Sequence, residues 1–141
     1  MTRVSIQTQD FDVSAELAAL RARDARVGAV CCFVGTVRDR NDGDAVATME
    51  LEHYPGMTEK SIEAMIDEAF ARFDLYGVRV IHRVGLLAPL DQIVLVAVTS
   101  AHRGDAAGRA LGRCARERRR GAGALGHRRA IADRLNLPPM A

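Results

Sequence analysis

The chain has few of the residues that mark membrane proteins, secreted proteins and metal-binding domains. Tryptophan is absent, aromatic residues make up 4% of the sequence, and there are three cysteines in 141 residues. No apolar run approaches the ~20 residues that a membrane-spanning helix needs. The first ten residues hold one arginine and no apolar stretch, so we predict no signal peptide and a cytoplasmic location.

The three cysteines do not predict a metal site. Cys31 and Cys32 are adjacent in a predicted strand, so their side chains point to opposite faces and cannot bind one zinc ion together in the usual structural manner. Cys114 lies far from both along the chain. We expect buried, unreactive thiols, which fits a reducing compartment.

Composition and length indicate a single globular domain. Hydrophobic residues make up 48% and charged residues 27% of the chain, and a chain of this length buries about two thirds of its unfolded surface. Apolar periodicity predicts helices at Ala15–Arg23 and from Ile62 to Phe73. It predicts strands at Val4–Thr8, Val27–Val37, Ala47–Tyr54, Val78–Val84 and Ile93–Thr99. Their order predicts an α+β, two-layer fold with helices packed on a mixed sheet.

Several local features follow from residue types within this outline. Asp12 or Ser14 is the expected N-cap of the first helix. Pro55-Gly56 should end the preceding strand in a turn, and Thr58 should cap the second helix. The last strand is apolar throughout, which is typical of a central strand covered on both faces.

The charge distribution changes sharply after residue 100. Residues 1–100 carry ten basic and 15 acidic side chains, net −5, whereas residues 101–141 carry ten basic and three acidic side chains, net +7. Arginine, alanine and glycine fill 26 of these last 41 positions. Glycines weaken any helix at 106–120, so we expect this segment to bury little. We therefore divide the chain into a domain at 1–105 and an Arg/Ala/Gly-rich tail at 106–141.

Three short segments lie at or just after strand-like runs, where folds often place functional groups on loops. They are Gly35-Thr36-Val37-Arg38-Asp39-Arg40-Asn41, Leu51-Glu52-His53-Tyr54-Pro55-Gly56-Met57-Thr58-Glu59 and Thr99-Ser100-Ala101-His102-Arg103-Gly104-Asp105. If the strands before Arg38 and before His102-Arg103 are neighbours, these side chains converge on one pocket suited to a phosphate. His102 can also transfer a proton near neutral pH. The alternative is that Arg38 is an ordinary solvated or ion-paired surface group.

Together and in this order, the three segments resemble the large, catalytic subunit of molybdopterin synthase. The resemblance covers about Val27 to Asp105, and the strings HYPGMTEK and SAHRGD are specific. It implies the α/β-hammerhead form of a two-layer mixed sheet with packed helices. It also implies sulfur transfer to cyclic pyranopterin monophosphate (precursor Z), which makes molybdopterin, in molybdenum cofactor biosynthesis.

The resemblance further implies partners and residue roles. A small ubiquitin-like subunit would carry the sulfur as a C-terminal thiocarboxylate, and two large subunits would form a homodimer within a heterotetramer. His102 and Arg103 would be catalytic, and Thr36, Val37 and Arg38 would bind the substrate together with them. No metal or organic cofactor is implied.

The tail departs from the family pattern. Family members carry two lysines shortly after the SAHR string, whereas the only lysine of this chain is Lys60. Arginine cannot replace them in acid-base work, because it keeps its proton at any relevant pH. Arginine, alanine and glycine are what GC-rich codons give in any reading frame, so out-of-frame translation is one explanation of the tail. A divergent tail that binds something acidic is the other.

A second function hypothesis comes from the tail alone. It is a non-catalytic α+β interaction module whose Arg-rich tail binds nucleic acid or another polyanion. The tail has no aromatic residue on which bases would stack. We therefore rank this hypothesis second and do not expect nucleic acid as a partner.

Overall fold

The computed structural model describes residues 3–38, 40–41, 44–45, 49–51, 56–102, 108–114 and 128–130. In chain order the elements are β1 (Val4–Gln7), α1 (Val13–Arg21), β2 (Ala29–Thr36), β3 (Arg40–Asn41), β4 (Asp44–Ala45), β5 (Met49–Leu51), α2 (Met57–Arg72), β6 (Gly77–Arg83), β7 (Gly85–Leu87), β8 (Gln92–Ser100) and β9 (Arg128–Ala130). Residues 108–114 are also helical.

A four-stranded mixed sheet forms the centre of the fold, in the spatial order β1-β6-β8-β2. β1 runs parallel to β6, whereas β8 is antiparallel to both of its neighbours. The predicted α+β class with a mixed sheet is confirmed. The apolar β8 lies inside the sheet and is buried from Ile93 to Ser100, as its composition predicts.

Helices α1 and α2 cover opposite faces of this sheet. α2 packs Ile62, Ile66 and Ala69 against β6 and β8 in the larger core cluster. On the other face, Phe11 and α1 residue Val13 pack against the smaller cluster of β6 and β8 side chains. α1 is also tied to β6 by an ion pair between Glu16 and Arg79.

The predicted N-cap residue is confirmed for α1 and is wrong for α2. Asp12 is the N-cap of α1, and its carboxylate accepts a hydrogen bond from the Ala15 N–H at 3.1 Å. The prediction that Thr58 caps α2 is wrong, because Thr58 lies inside the helix and is buried. Gly56 occupies the cap position at a φ of 82°, and the Glu59 carboxylate accepts from its N–H at 2.7 Å.

A second, three-stranded sheet has the order β7-β5-β9. β5 lies within the strand predicted at Ala47–Tyr54, of which residues 46–48 and 52–55 fall outside the described ranges. β7 was not predicted, because Gly85-Leu86-Leu87 is short and lies in a stretch that reads as a connection. Both partners of β5 pair with it in antiparallel register.

Part of the predicted tail packs on the domain. Ala110 and Cys114, on the helix at 108–114, are fully buried and belong to the larger core cluster, with Leu111 packed against it. The expectation that this segment buries little is therefore wrong at these positions. Further along, the backbone of β9 pairs with β5. The domain boundary at residue 105 stays a prediction.

The cysteine side chains occupy three different environments. Cys114 is buried, Cys31 is half-buried and Cys32 is exposed. The expectation of buried thiols is thus wrong for Cys32. Because Cys31 and Cys32 are consecutive in β2, their side chains lie on opposite faces of the sheet, as predicted.

Candidate functional site

The first group of predicted site residues lies where β2 ends. The register with β8 shifts between Gly35 and Thr36, so the chain leaves the regular ladder at this point. Val37 is buried in the core, with 1% of its surface exposed. Arg38 follows it and is exposed. The buried Val37 side chain therefore anchors the chain beside Arg38, and the role of Val37 in substrate binding stays a prediction.

A tight turn between β7 and β8 holds Val37 in place. The Val37 N–H donates to the Asp91 carbonyl at 2.9 Å, and the Val37 carbonyl accepts from the Leu90 N–H at 2.8 Å. Within the turn, the Asp91 carboxylate accepts a hydrogen bond from the Ala88 N–H at 2.9 Å. These bonds fix the backbone on which Arg38 is carried.

The second group lies where β8 ends. The Ser100 hydroxyl donates to the His102 carbonyl at 2.7 Å, and the Gly28 N–H donates to the Ser100 carbonyl at 2.9 Å. His102 is exposed. Arg103 lies outside the described residues.

Gly28 is a structural requirement of this second group that sequence reasoning missed. A Cβ atom at position 28 would lie 2.0 Å from the Ala101 carbonyl oxygen, which no real side chain tolerates. The backbone of Ala101 and His102 therefore depends on glycine at this point. The only available sequence indication was a glycine placed directly before an apolar strand.

The two groups lie at opposite ends of the pair of strands β2 and β8. β2 and β8 are neighbours, as expected, but they are antiparallel, with Ala29 opposite Ser100 and Thr36 opposite Gln92. Seven residue steps of ~3.3 Å place the two ends about 23 Å apart. The prediction that Arg38 and His102 converge on one pocket is therefore wrong within a single chain, because it requires strands whose carboxyl ends meet.

A cavity of about 330 Å³ lies at the end of the sheet where β6 begins and β8 ends. Its walls include Leu20, Phe70 and Thr99, and its rim carries Arg3 and Asp24 among other residues. Its charged side chains are engaged within the protein. Arg3 pairs with Glu63 and Asp67, and Asp24 pairs with Arg26 at 2.7 Å.

The described residues lack what a metal site and a membrane-spanning helix require. Among them, no three histidine, cysteine, aspartate or glutamate side chains come close enough together to hold a metal ion. None of the described helices is long and apolar enough to cross a membrane.

The family model described as "MoaE protein" matches residues 6–112. This chain belongs to the MoaE family. That match includes β2, β8 and the residues at both of their ends that the sequence predicts to be functional.

Two relatives match this chain over about three quarters of its length. The protein named "Molybdopterin synthase catalytic subunit" of Ralstonia nicotianae is 59% identical over 106 residues, which is 75% of this chain and 60% of that protein. The protein of the same name from Vibrio cholerae is 56% identical over 104 residues, covering 74% of this chain and 69% of that protein.

A solved structure confirms the fold. "Molybdopterin biosynthesis MoaE protein from Burkholderia ambifaria MC40-6" superposes with a TM-score of 0.74 at 52% identity, covering 82% of this chain and 74% of that one. The matched part of this chain spans only 60% of the length of the Ralstonia relative.

Proposed function

We propose that this chain is the large subunit of a molybdopterin synthase, acting in molybdenum cofactor biosynthesis. The reaction would transfer two sulfur atoms to precursor Z and give molybdopterin. The observation that supports this most strongly is the 59% identity to a protein named as the catalytic subunit of that enzyme. The HYPGMTEK and SAHRGD strings lie within residues 6–112, the range that matches the MoaE family model.

The proposed role of the two strand ends is to bind the substrate anion. Arg38 supplies a planar guanidinium that matches phosphate oxygens, and Arg103 would supply a second one. His102 can donate a proton or a hydrogen bond to an oxygen on which charge develops. Thr36 is exposed beside Arg38 and offers a hydroxyl, whereas Val37 positions the backbone.

One site can use both strand ends only if two copies of the chain take part. Within one copy the ends lie about 23 Å apart along the sheet, which is more than an arginine and a histidine side chain can span together. In the homodimer implied by the family resemblance, Arg38 of one copy would meet His102 and Arg103 of the other.

The proposed sulfur donor is a small ubiquitin-like subunit with a C-terminal thiocarboxylate. Its support is the word "subunit" in the names of the relatives, together with the family resemblance. Two large subunits with one small subunit each would give a heterotetramer. We place this assembly in the cytoplasm, and the mechanism calls on no metal or organic cofactor held by the large subunit.

The proposed chemistry lacks one component in this chain. The family resemblance implies two tail lysines as acid-base or covalent groups, and Lys60, on α2, is the only lysine here. A positioned acid or base contributes about 10²- to 10⁴-fold to a rate. We therefore propose that the substrate-binding half of the site is retained and that turnover is slow.

An assay with purified components tests this proposal. The thiocarboxylated small subunit and precursor Z are mixed with this chain, with a chimera carrying a lysine-containing tail after Asp105, and with the same chimera in which both lysines are replaced by alanine. We expect slow turnover from the first, recovery in the second and loss in the third. No molybdopterin from the lysine-containing chimera would overturn the proposed function.

A further inference from the structure

Ser100, the last residue of β8, is a buried polar residue directly before the second group of the candidate site. It is 2% exposed, and its hydroxyl donates to the His102 carbonyl at 2.7 Å. This bond spans two residues and closes a small ring that contains the N–H groups of Ala101 and His102. A local bond of this kind between a serine side chain and the backbone fixes a turn.

The backbone of Ser100 is itself held by the neighbouring strand. Ser100 lies opposite Ala29, and its carbonyl accepts from the Gly28 N–H at 2.9 Å. The register of β2 with β8 ends at this pair, so the exposed His102 lies beyond the regular ladder. The Ser100 hydroxyl therefore ties an exposed, predicted functional residue to the fixed end of a buried strand.

Thr99 is the natural comparison, because it too carries a hydroxyl and is buried. It is 1% exposed, and its hydroxyl lies 3.5 Å from the Gly77 carbonyl of β6, beyond the usual length of a hydrogen bond. Consecutive residues of a strand point to opposite faces of the sheet, so the two hydroxyls serve different surroundings. The hydroxyl of Thr99 faces another strand, whereas that of Ser100 bonds to the segment that carries the predicted catalytic histidine.

We propose that Ser100 is a positioning residue for His102, and that its hydroxyl holds the His102 backbone in the conformation that binds precursor Z. The inference rests on the proposed function for the identity of the ligand. Without this bond the backbone at residues 101–102 samples other conformations, and the apparent affinity falls with the fraction of molecules in the competent one. The net contribution of one hydrogen bond corresponds to a change of about 3- to 10-fold in that fraction.

The test compares Ser100→Ala with Thr99→Val, which removes the neighbouring buried hydroxyl and leaves the bond to His102 in place. Far-UV circular dichroism and urea denaturation establish that each variant is folded under the conditions used. ¹⁵N relaxation then measures the order parameters of the Ala101 and His102 N–H groups without substrate. Calorimetry measures precursor Z binding by the unaltered chain, by both variants, by His102→Ala, and by the chain that carries both Ser100→Ala and His102→Ala.

We expect order parameters near the rigid value of about 0.85 in the unaltered chain and in Thr99→Val, and a fall toward about 0.6 in Ser100→Ala. Ser100→Ala should weaken precursor Z binding about 3- to 10-fold, and Thr99→Val less than about 2-fold. In the His102→Ala background, Ser100→Ala should weaken binding less than about 2-fold, because the residue through which it acts is gone. A serine that only stabilised the fold would give none of these differences between folded variants.

Mobile N–H groups at residues 101–102 in the unaltered chain would overturn the inference, as would equal order parameters in Ser100→Ala and the unaltered chain. An equal loss of order in Thr99→Val, or an equal loss of binding from Ser100→Ala with and without His102, would also overturn it. The proposed function can fail separately. A chain that does not bind precursor Z but loses order at His102 in Ser100→Ala alone would count against that function, while supporting the hold of Ser100 on His102.

Discussion

The Leu90 N–H donates a hydrogen bond to the Val37 carbonyl at 2.8 Å, and Leu90 makes this bond from a left-handed conformation with a φ of 74°. Its side chain is 83% exposed. A leucine in this backbone region is strained by about 1–2 kcal/mol. The strain is located in the turn that anchors the residue before Arg38, which is where a strained backbone is often linked to function.

Replacing Leu90 by glycine should therefore cost little or nothing. Glycine removes the strain, and this gain offsets its greater entropy in the unfolded chain, which is worth about 0.5–1 kcal/mol. Leu86→Gly is the matched control, because Leu86 is also exposed but lies in β7. Urea denaturation should give Leu86→Gly the lower free energy of unfolding by about 1 kcal/mol. Equal losses in both variants would contradict a strained Leu90.

Gly28→Ala should destabilise the chain and move the backbone at His102. The added methyl group meets the Ala101 carbonyl carbon and oxygen, and overpacking of this kind costs about 1–3 kcal/mol. Gly108→Ala is the control, since a Cβ there meets open space in a helix and should stabilise by about 0.5–1 kcal/mol. Equal stability of Gly28→Ala and the unaltered chain would show that the close approach is not rigid.

Glu16→Gln should weaken the attachment of α1 to the sheet. The Glu16 carboxylate accepts from Arg79 Nε at 3.2 Å, and the Arg79 side chain is only 10% exposed. A buried guanidinium that loses its carboxylate partner is destabilised by about 1–3 kcal/mol. Thermal and urea unfolding measure the change. The exposed pair of Asp24 and Arg26 provides the control, and Asp24→Asn should cost less than Glu16→Gln.

Gln92→Leu should raise the pKa of Asp10. The Gln92 side-chain amide donates to the Asp10 carboxylate at 2.9 Å, and this bond, with one from the Phe11 N–H, holds the pKa of Asp10 below its ordinary value. Because the folded-state pKa is lowered, the stabilisation is present above the unfolded-state pKa and is lost as pH falls through the folded value.

Carbon-detected NMR titration of the Asp10 carboxyl group measures this shift. Asp24 serves as an internal control, because the hydrogen bonds from Arg26 lower its pKa to about 2 and Gln92 takes no part in them. The Asp24 titration should be the same in both proteins. An unchanged Asp10 titration in Gln92→Leu would contradict the conclusion that the hydrogen bond from Gln92 lowers the pKa of Asp10.

The central sheet and its helices could be predicted from local patterns. β8 is apolar without interruption because it is covered on both faces, and α2 carries an apolar stripe because one side packs on the sheet. Asp12 caps α1 through a bond between near neighbours in sequence. Each of these features depends on residues a few positions apart, which is the range that a sequence pattern reports.

The arrangement of the site could not be predicted in the same way. The exposed ends at Arg38 and His102 were identified, but their separation depends on the antiparallel pairing of β2 with β8, which residue types do not determine. The left-handed Leu90 and the contact at Gly28 likewise depend on distant backbone. The buried Ala110 was missed because glycines and arginines around it suggested an unpacked tail, whereas the buried thiol of Cys114 was expected.

The most direct test of the account is whether Arg38 and His102 of different copies share one site. Arg38→Ala and His102→Ala are each expected to lose precursor Z binding, by about 1.5–3 kcal/mol for a charged hydrogen bond. The two variants are mixed under conditions that exchange subunits, and binding is measured by calorimetry. In an equimolar mixture, about half of the two-fold dimers contain one copy of each variant. One of the two sites in each such dimer has both Arg38 and His102 unaltered, which is about a quarter of all sites. We expect tight binding to return in about that fraction. A mixture that binds no better than its separate components would contradict a site built from two copies.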